Sequence, residues 1–336
     1  MKLSMSFGQR LSRLLWRTSL HPPTQALQLQ IMPRCGQLSI HSLHLEDRRA
    51  FEWVQQLAGV TFSRMERLSI LFSVHGVSCP VGCQYPLLRS LTLGRGTAQW
   101  ASSILPSASS TLTSFSLKNM HTTHSLSLFD MFTALQSVPN LERLSLDEVA
   151  WSHSVPKDGI PAFVPLIKLA FLSLTSSDHI FEFIRPLQLP RLAELVIVDV
   201  SEDLGPVFAS LAQKTTAIEI LATGMWEDQC GMSSEEGLVT LLEKQRILKS
   251  LSLANAPVGH ILVQRLPRLQ GDRSTYGWIC PQLARLELSM RFVSPHQVQM
   301  IVESRSAVGC RLDILTLIEW VECAFDIEFL GQSVGS

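Results

Sequence analysis

A six-residue pattern of apolar and polar positions recurs along the chain, and it is clearest at residues 141–146, which read L-E-R-L-S-L. The pattern has the form L-x-x-L-x-L, and its last four positions alternate as the two faces of a β-strand do. Copies recur at intervals that range from 23 residues (Leu68 to Leu91) to 35 residues (Leu251 to Leu286). The central residues of the eleven copies are Leu43, Leu68, Leu91, Phe115, Leu144, Leu172, Leu195, Leu221, Leu251, Leu286 and Leu315.

A strand with one apolar side cannot bury that side alone, so a repeated strand predicts a stack of similar units. Parallel strands need crossover connections, which are usually helices. Segments with apolar residues at helical spacing lie between the copies, at 51–57, 127–135, 180–184, 206–211, 235–244 and 295–304. Ser127, Ser201 and Ser294 precede three of them as helix start signals.

The repeat therefore predicts an α/β fold, a leucine-rich repeat solenoid of horseshoe shape. We expect a curved parallel sheet of about eleven strands with helices on its convex side. The alternative is a doubly wound sheet of unrelated βαβ units. Such a fold does not require the same phrase to recur in every strand, so it explains the repeat less well. We assign residues 38–318 to the repeat domain, 1–37 to an N-terminal capping segment and 319–336 to a C-terminal cap and tail.

The first 37 residues do not fit the repeat, and the first acidic residue of the chain is Glu46. Phe7, Leu11, Leu14 and Leu15 share one helical face, which favours an N-terminal helix that covers the first strand. An arginine-containing, acid-poor amphipathic start also resembles a mitochondrial transit peptide. The same segment is the place where an F-box remnant would lie.

Composition restricts the classes of partner. The formal net charge is −1, so no basic field attracts nucleic acid. No run of about 18 apolar residues predicts a membrane span. The seven cysteines are scattered, which favours a reducing compartment and a cytoplasmic or nuclear location.

No catalytic signature is found in the sequence, which indicates a binding protein and not an enzyme, without a cofactor or metal. The phosphate-binding, nucleophile-elbow and zinc-protease motifs are all missing. His75, Cys79 and Cys83 have metal-like spacing, but structural zinc needs a second pair of ligands, and none follows at suitable spacing.

The polar positions of the strands are expected to form the concave surface, which is mostly a lane of serine and threonine. Arginine and aromatic side chains often dominate protein interfaces, so the larger residues are the candidate contacts with a partner protein. These residues are Arg67, Lys118, Arg143, Phe171, Glu194, Arg285 and Glu287.

The stretches at 139–146, 189–197 and 280–288 resemble the repeats of fungal F-box proteins with leucine-rich tails. The resemblance implies that the chain holds a protein substrate for a cullin-type ubiquitin ligase, with the ligase adaptor as a second partner. The family's asparagine, three residues after the last leucine of each phrase, is replaced here, for example by Val149, Ser177 and Val200. No convincing F-box is present.

Two other functions stay open at this point. The chain is alternatively a ligase-independent repeat scaffold or inhibitor. A leucine-rich activator of GTPases is the third reading, and it would need an exposed asparagine or arginine on a rim loop. Asn119, Asn140 and Asn255 are the only asparagines.

Overall fold

The computed structural model describes residues 2–7, 35–42, 55, 58–72, 79, 82–95, 97, 100–118, 126–152, 161, 163–225, 232–255, 279–289, 293–307 and 309–318. Its strands are β1 (Lys2–Phe7), β2 (Gln37–Ser42), β3 (Arg67–Phe72), β4 (Ser90–Arg95), β5 (Ser114–Lys118), β6 (Leu126–Ser127), β7 (Arg143–Asp147), β8 (Trp151–Ser152), β9 (Val164–Pro165), β10 (Phe171–Thr175), β11 (Leu187–Gln188), β12 (Glu194–Val200), β13 (Ile220–Met225), β14 (Ser250–Asn255), β15 (Arg285–Ser289) and β16 (Ile314–Ile318).

Twelve of these strands form one sheet, and every neighbouring pair in it is parallel. The order across the sheet is the order along the chain, β1-β2-β3-β4-β5-β7-β10-β12-β13-β14-β15-β16. The short strands form two separate pairs, β6 with β8 and β9 with β11. The fold is therefore α/β with a long parallel sheet.

Six helices lie within the described residues: α1 (Ala101–Ser107), α2 (Leu128–Gln136), α3 (Ile180–Ile184), α4 (Gly205–Lys214), α5 (Met232–Lys244) and α6 (Pro295–Ala307). In this part of the chain, none of them has the length and apolar content needed to cross a membrane. The expected segments at 127–135, 180–184, 206–211, 235–244 and 295–304 are confirmed as helices, whereas α1 was not expected. Segment 51–57 lies outside the described residues except for helical Gln55.

Two of the predicted helix starts are confirmed. The Ser127 hydroxyl accepts a hydrogen bond from the Asp130 N–H at 3.4 Å. Ser294 and Gln297 form a reciprocal pair, because each side chain accepts from the backbone N–H of the other residue. The start predicted at Ser201 is wrong, since α4 begins at Gly205 and its N-terminal N–H donates to the Asp203 carboxylate.

The register confirms the repeated phrase from β3 onward. Leu144 lies opposite Leu172, and Leu172 lies opposite Leu195. At ten consecutive junctions one carbonyl accepts two N–H groups of the next strand, as Glu142 does from Ala170 and Phe171. The same contact at these ten junctions, from β2–β3 to β15–β16, shows that the copies are structurally equivalent at the start of each strand.

The first copy was assigned wrongly. The central residue that pairs with Leu68 is Leu38 and not Leu43, which lies outside the described residues. Cys35, Leu38 and Ile40 take the three apolar positions, and each is at most 1% exposed. The phrase is therefore displaced by five residues, because a buried cysteine occupies the leading leucine position.

An additional strand lies in the segment that was expected to be helical. Residues Lys2–Phe7 form β1, which pairs in parallel with β2, so Phe7 belongs to a strand and not to a helix. Leu11, Leu14 and Leu15 lie outside the described residues. The sheet has twelve strands, one more than the number of repeated phrases.

A single core cluster joins the leucines of the strands to the apolar sides of the helices. Leu144 and Leu146 are fully buried, and so are Phe132 of α2 and Phe208 of α4. Trp100 and Trp151 are also buried. Phe183 stacks on Trp151 with ring centroids 5.3 Å apart. The polar side of the strands faces away from this core.

Helices α4 and α5 approach each other through two glycines. A Cβ added at Gly205 would lie 2.4 Å from the Ser233 carbonyl oxygen, and one added at Gly237 would lie 2.6 Å from the Gly205 carbonyl oxygen. These distances are shorter than van der Waals contact, so neither position has room for a side chain. The two helices consequently pack backbone against backbone.

Candidate functional site

The outward face is the side of the sheet opposite the leucine core, and all seven candidate contacts lie on it. Arg67, Arg143, Phe171, Glu194 and Arg285 occupy one register row, the position before the central leucine. Glu287 lies two residues further along its strand, and Lys118 lies at the far end of β5. The seven residues therefore share a face but do not form one cluster.

Three of them are direct neighbours. Arg143, Phe171 and Glu194 lie opposite one another on β7, β10 and β12. The Arg143 guanidinium carbon lies 3.9 Å from the centroid of the Phe171 ring, which is a cation–π contact. The arginine is exposed and the phenylalanine half-buried, so the outer edge of this pair meets solvent.

The other four candidates lie further away. Arg67 is separated from Arg143 by β4 and β5, and Arg285 is separated from Glu194 by β13 and β14. With strands about 4.8 Å apart, each separation is about 14 Å. Lys118 lies opposite Asp147 on the neighbouring strand. A partner that contacts all seven residues would have to span most of the sheet.

The serine and threonine lane is crowded along its middle row. Ser173 is 9% exposed, and the hydroxyl oxygen of Ser116 is inaccessible to solvent without a hydrogen-bond partner. Ser145 lies opposite both of these residues. The small residues therefore fit the limited space on this side of the sheet.

Sequence reasoning missed an apolar patch on the same face. We call it the Phe171 patch, and it consists of Phe171, Val196, Val198, Ile220 and Ala222. Ile220 is 42% exposed, and the others are partly exposed. The signal was present in the sequence, because β12 and β13 carry Val196 and Ala222 at a position where all other strands of the large sheet from β3 to β16 carry serine or threonine, except for Glu287 of β15.

Three neighbouring strands end in the same unusual backbone conformation. Glu148, Ser176 and Asp199 have φ angles of 56°, 47° and 55°, in the left-handed region. Each is the fourth residue after the central leucine of its strand. Side chains other than glycine, asparagine and aspartate adopt this conformation rarely, and it is enriched at functional sites.

The left-handed residue changes which side chains reach the surface. In each of the three strands, the left-handed residue and the residue that precedes it are both partly exposed. These pairs are Asp147 and Glu148, Thr175 and Ser176, and Val198 and Asp199. The next residue returns to the core, and Val149, Ser177 and Val200 are all buried. We call Asp147, Glu148 and Asp199 the acidic edge. Burial raises the pKa of the Asp199 carboxyl above its ordinary value.

Helix α3, next to this edge, is held at both ends by the following repeat. The Glu202 carboxylate accepts a hydrogen bond from the Ile180 N–H at the start of the helix. The Lys214 ammonium donates to the carbonyls of Ile184 and Arg185 at 2.7 and 2.6 Å. Burial raises the pKa of Glu202 to about 7 and lowers the pKa of Lys214 to about 8.

Three positions of the family's asparagine lie within the described residues, and Val149, Ser177 and Val200 are all buried there. The Ser177 hydroxyl donates to the Thr175 carbonyl at 3.0 Å and accepts from the Val149 N–H of the preceding repeat at 3.4 Å. Thr97 donates to the Gly94 carbonyl at 2.9 Å. At Ser177 a short hydroxyl side chain thus links two turns at a position where the family uses an asparagine.

Asn140 and Cys79 were also considered as functional residues, and both lie in surroundings that favour a structural role. Asn140 donates to the Ser110 carbonyl at 2.9 Å and accepts from the Lys168 ammonium at 2.7 Å, so it links three repeats. Burial raises the pKa of the Cys79 thiol to about 11, which disfavours the thiolate that binds metals. His75 and Asn119 lie outside the described residues.

The chain was also compared with known proteins. It matches no protein-family model, and no curated protein matches it significantly.

Proposed function

We propose that the chain is a leucine-rich repeat solenoid that recognises a protein partner through the outward face of its sheet. The observation that carries the proposal is the pairing of the Arg143 guanidinium with the Phe171 ring on that face. Arginine and aromatic side chains are the residues most often found at the energetic centre of an interface. Here they are presented side by side on a rigid sheet.

The repeat geometry supports this proposal. The strands follow chain order, and their first three positions share one register, which places equivalent residues in rows; the register shifts only further along β12, β13 and β14. The double acceptor carbonyls fix the start of the strands. Such rows form an extended surface, and its chemistry depends only on which residues occupy the outward positions. A surface of this kind suits recognition of another chain.

A narrower form of the proposal makes the chain a substrate receptor of a cullin-type ubiquitin ligase. It rests on the resemblance of three phrases to F-box proteins with leucine-rich tails, and these phrases lead into β7, β12 and β15. In this form the outward face holds the substrate, and a further part of the chain holds the ligase adaptor.

The first test is affinity purification from the native cell, followed by mass spectrometry, with variants on the outward face. Ser145→Trp places a large side chain in the middle row, and Arg143→Glu reverses a charge beside Phe171. The matched controls are Glu236→Trp on α5 and Arg246→Glu in the following turn, both exposed and away from the face. Thermal unfolding of each purified variant checks that it is folded.

We expect a protein that co-purifies in near-stoichiometric amount with the wild type and both controls but not with the two face variants. A partner that is retained by both face variants would contradict recognition through this face. Adaptor and cullin subunits among the co-purifying proteins would support the ligase form. Another stoichiometric partner without them would favour the scaffold form.

A further inference from the structure

The Phe171 patch lies beside carboxylates, and this combination of chemistry restricts the partner. Ile220 and Val196 are on neighbouring strands, and Glu194 lies opposite both Phe171 and Ile220 in the register row. Val198 is followed directly by Asp199 of the acidic edge. An apolar surface and a set of carboxylates are therefore continuous on this part of the sheet.

Negative charge exceeds positive charge around the patch. Among the described residues on the outward face and edge of β5 to β13, the carboxylates are Asp147, Glu148, Glu194 and Asp199, and the cations are Lys118 and Arg143. Arg143 is already placed over the Phe171 ring, and Lys249 on the neighbouring rim pairs with Glu219 at 2.7 Å. The surroundings of the patch thus favour a partner with positive charge.

The distances set the spacing of the partner's groups. Val196 and Asp199 are three residues apart on β12, and Glu194, which lies opposite Phe171, is five residues before Asp199. At about 3.3 Å per residue, these separations are about 10 to 16 Å along the strand direction. An extended segment covers the same distance with about three to five residues.

We propose that the outward face binds an extended polypeptide segment that carries an aliphatic or aromatic side chain and, three to five residues away, lysine or arginine. The apolar side chain packs on the Phe171 patch, and the cation lies at the acidic edge. This inference rests on the proposed function and names the partner chemistry of the same face.

The probe is a library of 12-residue peptides displayed on phage and selected on the purified full chain. We expect the selected peptides to share one large apolar residue and a basic residue about three to five positions away. Their affinity should fall as salt is added, because the cation lies at a solvent-accessible edge. Selected peptides that are acidic, or that lack basic residues, would overturn the inference.

Three variants test the two parts of the surface, with the selected peptide as the ligand. Ile220→Ser removes apolar area, and Asp147→Asn and Asp199→Asn each remove one charge. Asparagine tolerates the left-handed conformation, so Asp199→Asn keeps the backbone at that position. We expect each variant to weaken binding about threefold to tenfold, whereas Glu236→Gln, the same charge change on α5, leaves binding unchanged.

The outcomes separate this inference from the proposed function. If a cellular partner is lost with Ser145→Trp but retained by the three variants above, protein recognition holds and the assigned partner chemistry is wrong. If the library yields no peptide, the extended segment is wrong, and the capture experiment decides recognition separately. If face variants change neither peptide nor cellular partner, both proposals fail.

Discussion

The Arg143 guanidinium carbon lies 3.9 Å from the centroid of the Phe171 ring, on neighbouring strands of the sheet. This contact holds an exposed charge in a fixed place, where a long side chain would otherwise sample many rotamers. Glu194 on the next strand adds a carboxylate opposite the ring. The trio is thus ordered before any partner arrives, which lowers the entropy cost of binding.

The first prediction concerns the strength of this contact. In a double-mutant cycle with Arg143→Met and Phe171→Leu, the coupling free energy of unfolding should be about 0.5–1 kcal/mol, as for cation–π pairs at exposed sites. Denaturant unfolding of the four proteins measures it. The pair Arg67→Met and Phe171→Leu is the control and should show no coupling, because β4, β5 and β7 separate the two strands. Equal coupling in both cycles would contradict a specific contact.

The second prediction compares the two sides of one strand. Leu144 is fully buried and Arg143, its neighbour in sequence, is exposed. Leu144→Ala should cost about 2–5 kcal/mol of unfolding free energy, since it leaves a cavity in the core. Arg143→Ala should cost less than about 1 kcal/mol, comparable with other surface substitutions. Equal costs, measured by urea unfolding, would mean that the strand does not alternate as described.

The sheet could be predicted from the sequence because the phrase combines spacing with alternation. Two leucines separated by one polar residue predict both the strand and its buried side, and this succeeded from Leu68 to Leu286. In the last copy the strand forms, but Leu317 is 41% exposed. The first copy failed because Ile40 fits two overlapping phrases, one ending at Ile40 and one beginning there. Cysteine was not counted as an apolar residue, yet Cys35 is completely buried.

The pattern of apolar and polar positions predicted neither helix α1 nor the backbone conformation at the strand ends. Residues Ala101–Ser107 contain Pro106 and several serines, which weaken a helical signal although Ile104 and Leu105 are buried. The left-handed residues Glu148, Ser176 and Asp199 share no residue type. Their conformation is set by the packing of three neighbouring strands, which periodicity does not report. The acidic edge therefore could not be foreseen.

The third prediction uses the close approach of α4 and α5. In an ordinary helix interior, Gly→Ala stabilises by about 1 kcal/mol, because alanine is the better helix former. Gly237→Ala should instead destabilise by about 1–3 kcal/mol, since the new Cβ meets the Gly205 carbonyl. Thr240→Ala, at an exposed position of α5, is the control and should change stability little. A gain in thermal stability for Gly237→Ala would mean that the helices lie further apart.

The fourth prediction concerns a buried polar link between repeats. Gln245 is completely buried, donates to the Thr215 carbonyl at 2.9 Å and accepts from the Ile218 N–H at 3.0 Å. Gln245→Leu leaves both backbone groups without this partner and should cost about 2–4 kcal/mol. Gln136 also donates to a carbonyl of the next repeat, that of Phe163, but is exposed. Gln136→Leu should therefore cost less than about 1 kcal/mol, and equal losses would contradict the assigned role of burial.

The last prediction is a pH dependence of stability that arises at Glu202. Burial is the largest cause that raises its pKa from 4.5 to about 7, and the neighbouring carboxylates Glu182 and Asp178 raise it further. The folded state therefore binds the proton more tightly than the unfolded state does. Its contribution to stability is present below pH 4.5 and is lost as the pH rises through about 7.

Glu202→Gln keeps an oxygen that can accept from the Ile180 N–H but cannot ionise. The variant should lose less stability than the wild type between pH 4.5 and 7, by about 1 kcal/mol after allowance for solvent screening. Urea unfolding at several pH values measures this difference, with Glu236→Gln as the control for loss of one charge. Parallel pH profiles for wild type and Glu202→Gln would show that the proton is not taken up at Glu202. A wild-type profile that falls more steeply than that of Glu202→Gln between pH 4.5 and 7 would place a titrating group at the junction of α3 and α4, beside the acidic edge.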